Sequence, residues 1–355
     1  MEPTPIVASV DYEKPGKQLG QLAVPYSHNL GGWANLQVPV AVLAAGEGPT
    51  VLLMAGNHGD EYRGRVAILK LCRELALEDV RGRLIMIPAL NVPGSKAATR
   101  LSPLDGKNFN RSFPGDPTGS VSEMLAHYLT NHLFPMADVV IDLHTGGRSF
   151  DFYPCAHMHL VPDHDQRRKM VAAAEAYDTD LAFLYIDVAG TGLLPGEAER
   201  QGKVVVTTEM GGGESVPAKV HRLSQEGLRN VLVHLGVLAG EQRSRSDLGL
   251  RPTAYGRRDG CSHSTARTTG SRPSPESTRA WSTWAPVLWP GRWQDRSTFS
   301  SARTGSRLPS SRRPPVSSSA PAGRPSSARA IASPASPTTS IGAFSSNLTH
   351  SHERI

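Results

Sequence analysis

Three apolar runs of strand length, each delivering a metal-binding or proton-carrying residue at its end, constrain this chain most. TVLLMAG (50–56) leads into His58 and Glu61, VVIDLH (139–144) ends on His144, and KVVVTTE (203–209) ends on Glu209. Each run is bounded by Gly or polar residues and is short for a buried helix, so each reads as an interior strand. PVAVLAAG (39–46), RLIMIPAL (83–90), FDFYPCA (150–156) and LAFLYIDV (181–188) read as further strands. Segments 61–79, 120–135, 164–177 and 222–239 read as helices. Continuous apolar strands alternating with helices predict an α/β fold, a mostly parallel sheet covered by helices on both faces. In such sheets sites form at the carboxyl ends of strands, which is where these runs place their polar residues.

The chemistry follows from residue types and spacing. In GNHGDE (56–61), His58 and Glu61 are spaced so that an imidazole and a carboxylate can reach one metal ion. Gly56 and Gly59 permit the tight turn between them. His144 of DLHTGG (142–147) supplies a third donor, and Asp142, two residues back, points to the same side of the strand and can orient it. Two imidazoles and one carboxylate leave a fourth position for water, the pattern of a catalytic site holding one Zn2+ ion; the same donors accept cobalt or manganese. Glu209, followed by three glycines, is placed to act as general base on water and to return the proton to a leaving amine. In the loop 99–115, Arg100 and Arg111 offer planar forks for a substrate carboxylate and Asn110 an amide between them. Singly, each motif is also what a surface loop or strand end carries; their convergence carries the metal reading.

The last third is a different kind of sequence. Residues 1–250 hold 23 Lys and Arg against 28 Asp and Glu, a net of −5. Residues 251–355 hold 15 Arg, no Lys and 4 acids, a net of +11, so the chain's overall +6 belongs to this tail. Its Ser, Arg and Pro show neither helical nor strand periodicity. It reads either as a disordered basic tail or as an out-of-frame product of GC-rich coding DNA. Trp281, Trp284, Trp289 and Trp293, four of the five tryptophans, lie in it and favour the second. The expected organisation is a catalytic domain over 1–250 and a low-complexity tail over 251–355.

Several classes are excluded. No apolar run approaches the roughly 20 residues of a membrane-spanning helix, and the first residues have no signal-peptide pattern. Cys72, Cys155 and Cys261 are too sparse for a disulfide framework and fit a reducing cytoplasm. Binding of nucleic acid or an anionic surface through the tail is the non-enzyme alternative. The body is acidic and most tail aromatics are bunched at 281–299 rather than interleaved with arginines, so no nucleic-acid partner is expected. Oligomeric state leaves no mark in the sequence.

GNHGDE, NVPG (91–94), NRSFPG (110–115), DLHTGG and TEMGG together resemble the succinylglutamate desuccinylase/aspartoacylase family over about residues 1–245. The resemblance implies a three-layer αβα, zinc-carboxypeptidase-like catalytic domain that hydrolyses an N-acylated amino acid. It implies His58, Glu61 and His144 as zinc ligands and Glu209 as general base, with Arg100, Asn110 and Arg111 around the substrate. The interval from Arg100 to Asn110 is longer than in aspartoacylase-type members. Further motifs, among them PYS (25–27) and LFPMAD (133–138), point to members that remove an acetyl group from the α-nitrogen. A desuccinylase or aspartoacylase-type activity, or a metallocarboxypeptidase, would use the same metal set. The family also implies a β-rich C-terminal domain, which nothing after about residue 250 resembles.

Overall fold

The computed structural model describes residues 3–29, 31–179, 181–186, 192–245, 249 and 287–288. The chain divides into two units, residues 1–294 and 295–355. The expectations for the tail fall outside the described residues, except at 287–288.

The strands are β1 (Val7–Ala8), β2 (Gly16–Pro25), β3 (Asn35–Ala45), β4 (Thr50–Ala55), β5 (Gly82–Ile87), β6 (Val139–His144), β7 (Cys155–His159), β8 (Leu181–Tyr185), β9 (Val204–Glu209) and β10 (Val287–Leu288). The helices are α1 (Tyr62–Glu74), α2 (Val92–Ala97), α3 (Val121–Tyr128), α4 (Phe134–Met136), α5 (His164–Ala176), α6 (Leu194–Arg200) and α7 (Ala218–His234). The strands form one mixed sheet in the order β1-β2-β3-β5-β4-β6-β9-β7-β8-β10.

Its centre, β5-β4-β6-β9, is parallel, and β4 and β6 are buried at every position, as the unbroken apolar runs require. Antiparallel pairs flank the centre: β2 with β3, β3 with β5, and β7 with β9. β2 alternates between exposed and covered positions through most of its length, the pattern of a strand with one face in water. That weaker signal left β1 and β2 out of the sequence reading, as it did the short helices α2 and α6. The strand expected over 150–156 begins only at Cys155, because the preceding residues form turns whose Asp151 bridges Gly212 in the loop after β9. β10 pairs antiparallel with β8, a strand that the composition of the tail does not predict.

α1 packs on the sheet through Gly64, where an added methyl carbon would lie 2.7 Å from the Leu143 side chain. α1 and α5 both pack on α7, forming one outer layer. Strand alternation then turns Asp142 and His144 to the other face, where α6 lies against β9 and β6.

Candidate metal centre

Three adjacent parallel strands bring the motifs together. His58 and Glu61 lie in the turn from β4 into α1, where Glu61 is the residue preceding the first helical turn. His144 ends β6 and Glu209 ends β9, and the two are register partners. The turn depends on two glycines for different reasons. Gly56 has φ +67°, a conformation costly for a side chain. Gly59 has ordinary φ, but an added Cβ would lie 2.0 Å from the Gly94 carbonyl carbon at α2. Close approach, rather than the turn itself, requires Gly at 59.

The donor atoms of His58, Glu61 and His144 all lie within 4.8 Å of one another, and all three residues are buried. Both imidazoles present Nδ1 to the Glu61 carboxylate, His58 to Oε1 at 2.6 Å and His144 to Oε2 at 2.8 Å. The outer nitrogens are held from behind: His144 Nε2 by Asp142 Oδ2 at 2.8 Å and His58 Nε2 by Asn108 Oδ1 at 3.1 Å. This donor set fits a zinc-type ion: two Nδ1 atoms and a carboxylate converge, and each ring's second nitrogen is fixed by an oxygen.

The electrostatics reflect that crowding. Burial raises the Glu61 carboxyl pKa, but the facing imidazoles of His144 and His58 outweigh it and hold the group far below the usual carboxylate range. For His144 burial likewise opposes the charge, while Asp142 and Glu61 hold the imidazole well above its ordinary value. His58 is lowered, burial outweighing its bond to Glu61. The Glu209 carboxyl is pushed up to about 8, chiefly by burial, with His144 pulling down and Glu61 pushing up. Its Oε2 is buried and has no partner among the described residues.

The expected substrate residues fall in different places. Arg100 reaches the donor set, its Nη1 donating to Glu61 Oε1 at 3.3 Å. Asn110 accepts the Leu194 N–H at 2.8 Å and so ties the clamp loop to the start of α6. Arg111 donates to the Asn110 carbonyl at 2.6 Å, and no hydrogen bond or ion pair joins it to the donor set. Asp142, fully buried, also accepts from Asn57 Nδ2 at 3.3 Å.

Sequence reasoning missed three residues. Asn108 Oδ1 accepts from both His58 Nε2 and the Asn110 N–H, each at 3.1 Å, linking the histidine to the clamp loop. Asn57 braces Asp142. Arg63, only 2% exposed, donates to the carbonyls of Met210 and Gly212 and to Ser215 Oγ, pinning the loop after Glu209 to α1. Each reads locally as a turn or helix-surface residue. Only an asparagine two residues before Asn110 hinted at a shared turn.

A mixed α/β sheet with a His-Glu-His donor set at its strand ends defines the architecture of a metal-dependent hydrolase. The succinylglutamate desuccinylase/aspartoacylase catalytic domain matches residues 47–235, and the chain belongs to that family of deacylating hydrolases. The N-α-acetyl-L-2,4-diaminobutyric acid deacetylase of Halomonas elongata is 46% identical over 239 residues, 67% of this chain and 70% of that protein. A product-bound structure of the ectoine utilization protein EutE (DoeB) from Ruegeria pomeroyi has 40% identity and a TM-score of 0.67, covering 68% of this chain and 74% of that one. A succinylglutamate desuccinylase structure from a Silicibacter species has the same identity, TM-score and coverage. Among the described residues no helix is long and apolar enough to cross a membrane.

Proposed function

We propose that this chain is a zinc-dependent deacetylase that hydrolyses N2-acetyl-L-2,4-diaminobutanoate to acetate and L-2,4-diaminobutanoate, within ectoine breakdown. The observation that carries the reading is the buried His58–Glu61–His144 set with Glu209 as the register partner of His144. The named relative and the ectoine utilization structure support the choice of substrate. The two described cysteines, Cys72 and Cys155, are free and buried, which fits a cytoplasmic enzyme.

His58, Glu61 and His144 would hold a single Zn2+, which would supply a Lewis acid able to polarise a carbonyl and lower the pKa of water. Asp142 and Asn108 keep the two imidazoles turned so that Nδ1 faces inward. Glu209 takes a proton from the attacking water and delivers it to the α-nitrogen as the C–N bond breaks. A carboxyl poised near neutrality suits both halves of that transfer, accepting first and donating second. Arg100 and Arg111 offer cationic forks to the substrate carboxylate, and the Asn110 side-chain amide a donor beside them. The test is Glu209→Gln, which keeps shape but cannot accept the proton. It should retain zinc and lose about 10²-fold or more in kcat toward the acetylated diamino acid. Near-normal turnover in the zinc-replete variant refutes the role of Glu209, and no deacetylation by the unsubstituted protein refutes the function.

A further inference from the structure

The two imidazoles of the donor set are held from behind by unlike supports. His144 is braced within the sheet: Asp142 lies two residues back on the same strand, is fully buried, and accepts from Asn57 just past β4. His58 is braced from a loop. With Nδ1 turned to Glu61, its Nε2–H donates to the amide oxygen of Asn108. A carboxylate backs a ligand imidazole more strongly than a neutral amide does, because the charge strengthens the bond and raises the basicity of the ring. The distances follow, 2.8 Å at His144 and 3.1 Å at His58. His58 is the less firmly backed of the two.

Asn108 also carries the clamp. The Oδ1 that holds His58 accepts the Asn110 N–H, again at 3.1 Å. The Asn108 carbonyl accepts the Arg111 N–H at 2.9 Å and the Ser112 hydroxyl at 3.2 Å. One residue therefore holds a metal-donor ring and both clamp residues at once. The turn has little room to absorb a shift. Phe109 and Phe113 are buried and meet edge to face at 5.4 Å between centroids, and Phe113 stacks on Phe134. Asn110 Oδ1 is fixed in turn by the Leu194 N–H. A displacement at Asn110 or Arg111 thus reaches the Asn108 oxygen and, through it, the His58 ring. A second route, from Arg100 to Glu61 Oε1, does not pass through Asn108.

We propose that Asn108 is a positioning residue that couples zinc retention to occupancy of the substrate clamp. Filling the clamp orders the turn over 108–111, steadies His58 and tightens the metal; bound metal tightens the ligand by the same factor, since coupling between two binding sites is reciprocal. This rests on the reading of the site as a zinc deacetylase and adds how its two halves are linked.

The test measures zinc affinity of the full-length chain by competition with a fluorescent chelator, with and without saturating L-2,4-diaminobutanoate, whose own binding is followed by calorimetry. In the unsubstituted protein the amino acid should tighten zinc by about tenfold or more, within the usual range of coupling between sites. Asn108→Ala should weaken zinc by about 10- to 100-fold without ligand, as loss of a residue behind a ligand histidine does. It should also cut the enhancement by the amino acid to less than about threefold, the part left to Arg100 or to direct contact with the metal. Asn108→Asp keeps an oxygen for both donors and should restore zinc affinity and enhancement together. Should Asn108→Ala fail to fold by circular dichroism, Asn108→Ser, whose hydroxyl is too short to reach His58, takes its place. A second comparison needs no ligand. Asn110→Ala frees the turn from Leu194, and should weaken zinc about threefold or more in the native background but less than about 1.5-fold beside Asn108→Ala. Failure of the amino acid to bind the zinc-loaded chain refutes the deacetylase reading, and the Asn108–Asn110 comparison still decides the coupling. Additive effects there, or an enhancement undiminished in Asn108→Ala, overturn the proposal.

Discussion

Replacing Arg63 with Met tests whether the buried guanidinium holds the loop that follows Glu209. The side chain donates to the Met210 carbonyl, to Gly212 O at 2.9 Å and to Ser215 Oγ at 3.3 Å. In Arg63→Met the Gly212 carbonyl keeps a second bond, from Ser215 Oγ at 3.2 Å. The Met210 carbonyl, 1% exposed as a residue, is left without its side-chain donor. An orphaned buried acceptor costs about 1–3 kcal/mol, and a lost bond to a charged donor about 1.5–3 kcal/mol. Against this, the variant no longer buries a cation, whose pKa burial lowers in the native protein, nor the unpartnered Nε. The net is a destabilisation of about 2–4 kcal/mol, or roughly 10 °C in Tm for a domain of this size. The assay is thermal and urea unfolding of the full chain followed by circular dichroism. Arg63→Lys should recover little, because an ammonium cannot fork across two carbonyls as a guanidinium does. A Tm within about 2 °C of the unsubstituted protein would refute the clamp.

Other consequences can be checked directly. His144→Ala removes one of three donors and leaves Asp142 buried without its imidazole, so zinc content by elemental analysis should fall from about one ion per chain to near none; unchanged content would refute the assignment. Burial pushes the thiols of Cys72 and Cys155 up to about 11 and about 12. Both should stay unmodified by iodoacetamide at pH 8 in the native protein and react after denaturation, read by peptide mass spectrometry. The pKa of His157 is lowered to about 3 from an ordinary 6.5, so in that window the unfolded chain binds a proton that the folded one does not. Stability should therefore drop as pH falls from 6.5, by at most about 2 kcal/mol at pH 5, and His157→Phe should remove that part of the loss in denaturant titrations at pH 7 and 5. An identical pH dependence in the variant would place His157 in contact with water.

Much of the site was legible along the chain, because its donors sit at the ends of the most strongly patterned segments. TVLLMAG and VVIDLH are mostly apolar and KVVVTTE carries three consecutive valines, and burial on both faces of a sheet explains that pattern. Once those runs are parallel neighbours, His58, Glu61, His144 and Glu209 must meet at one edge, and Asp142 must share a face with His144. The flanking strand β2 alternates and the helices α2 and α6 are short, so no comparable period marked them.

The supporting residues were decided by tertiary structure alone. Arg63 meets its partners across 147 to 152 residues of sequence, and Asn57 reaches Asp142 across 85. Asn110 looks like a substrate amide in the sequence, yet its oxygen is taken by the N–H that opens α6. Gly59 looks like a turn residue, yet it is required by the passing backbone of Gly94. Periodicity reports which face of an element is buried, since that is set by the residue's own segment. Which distant donor a buried carbonyl finds, or which backbone crosses at 2 Å from an absent methyl, depends on how separate elements pack, and that arrangement leaves no local pattern to read.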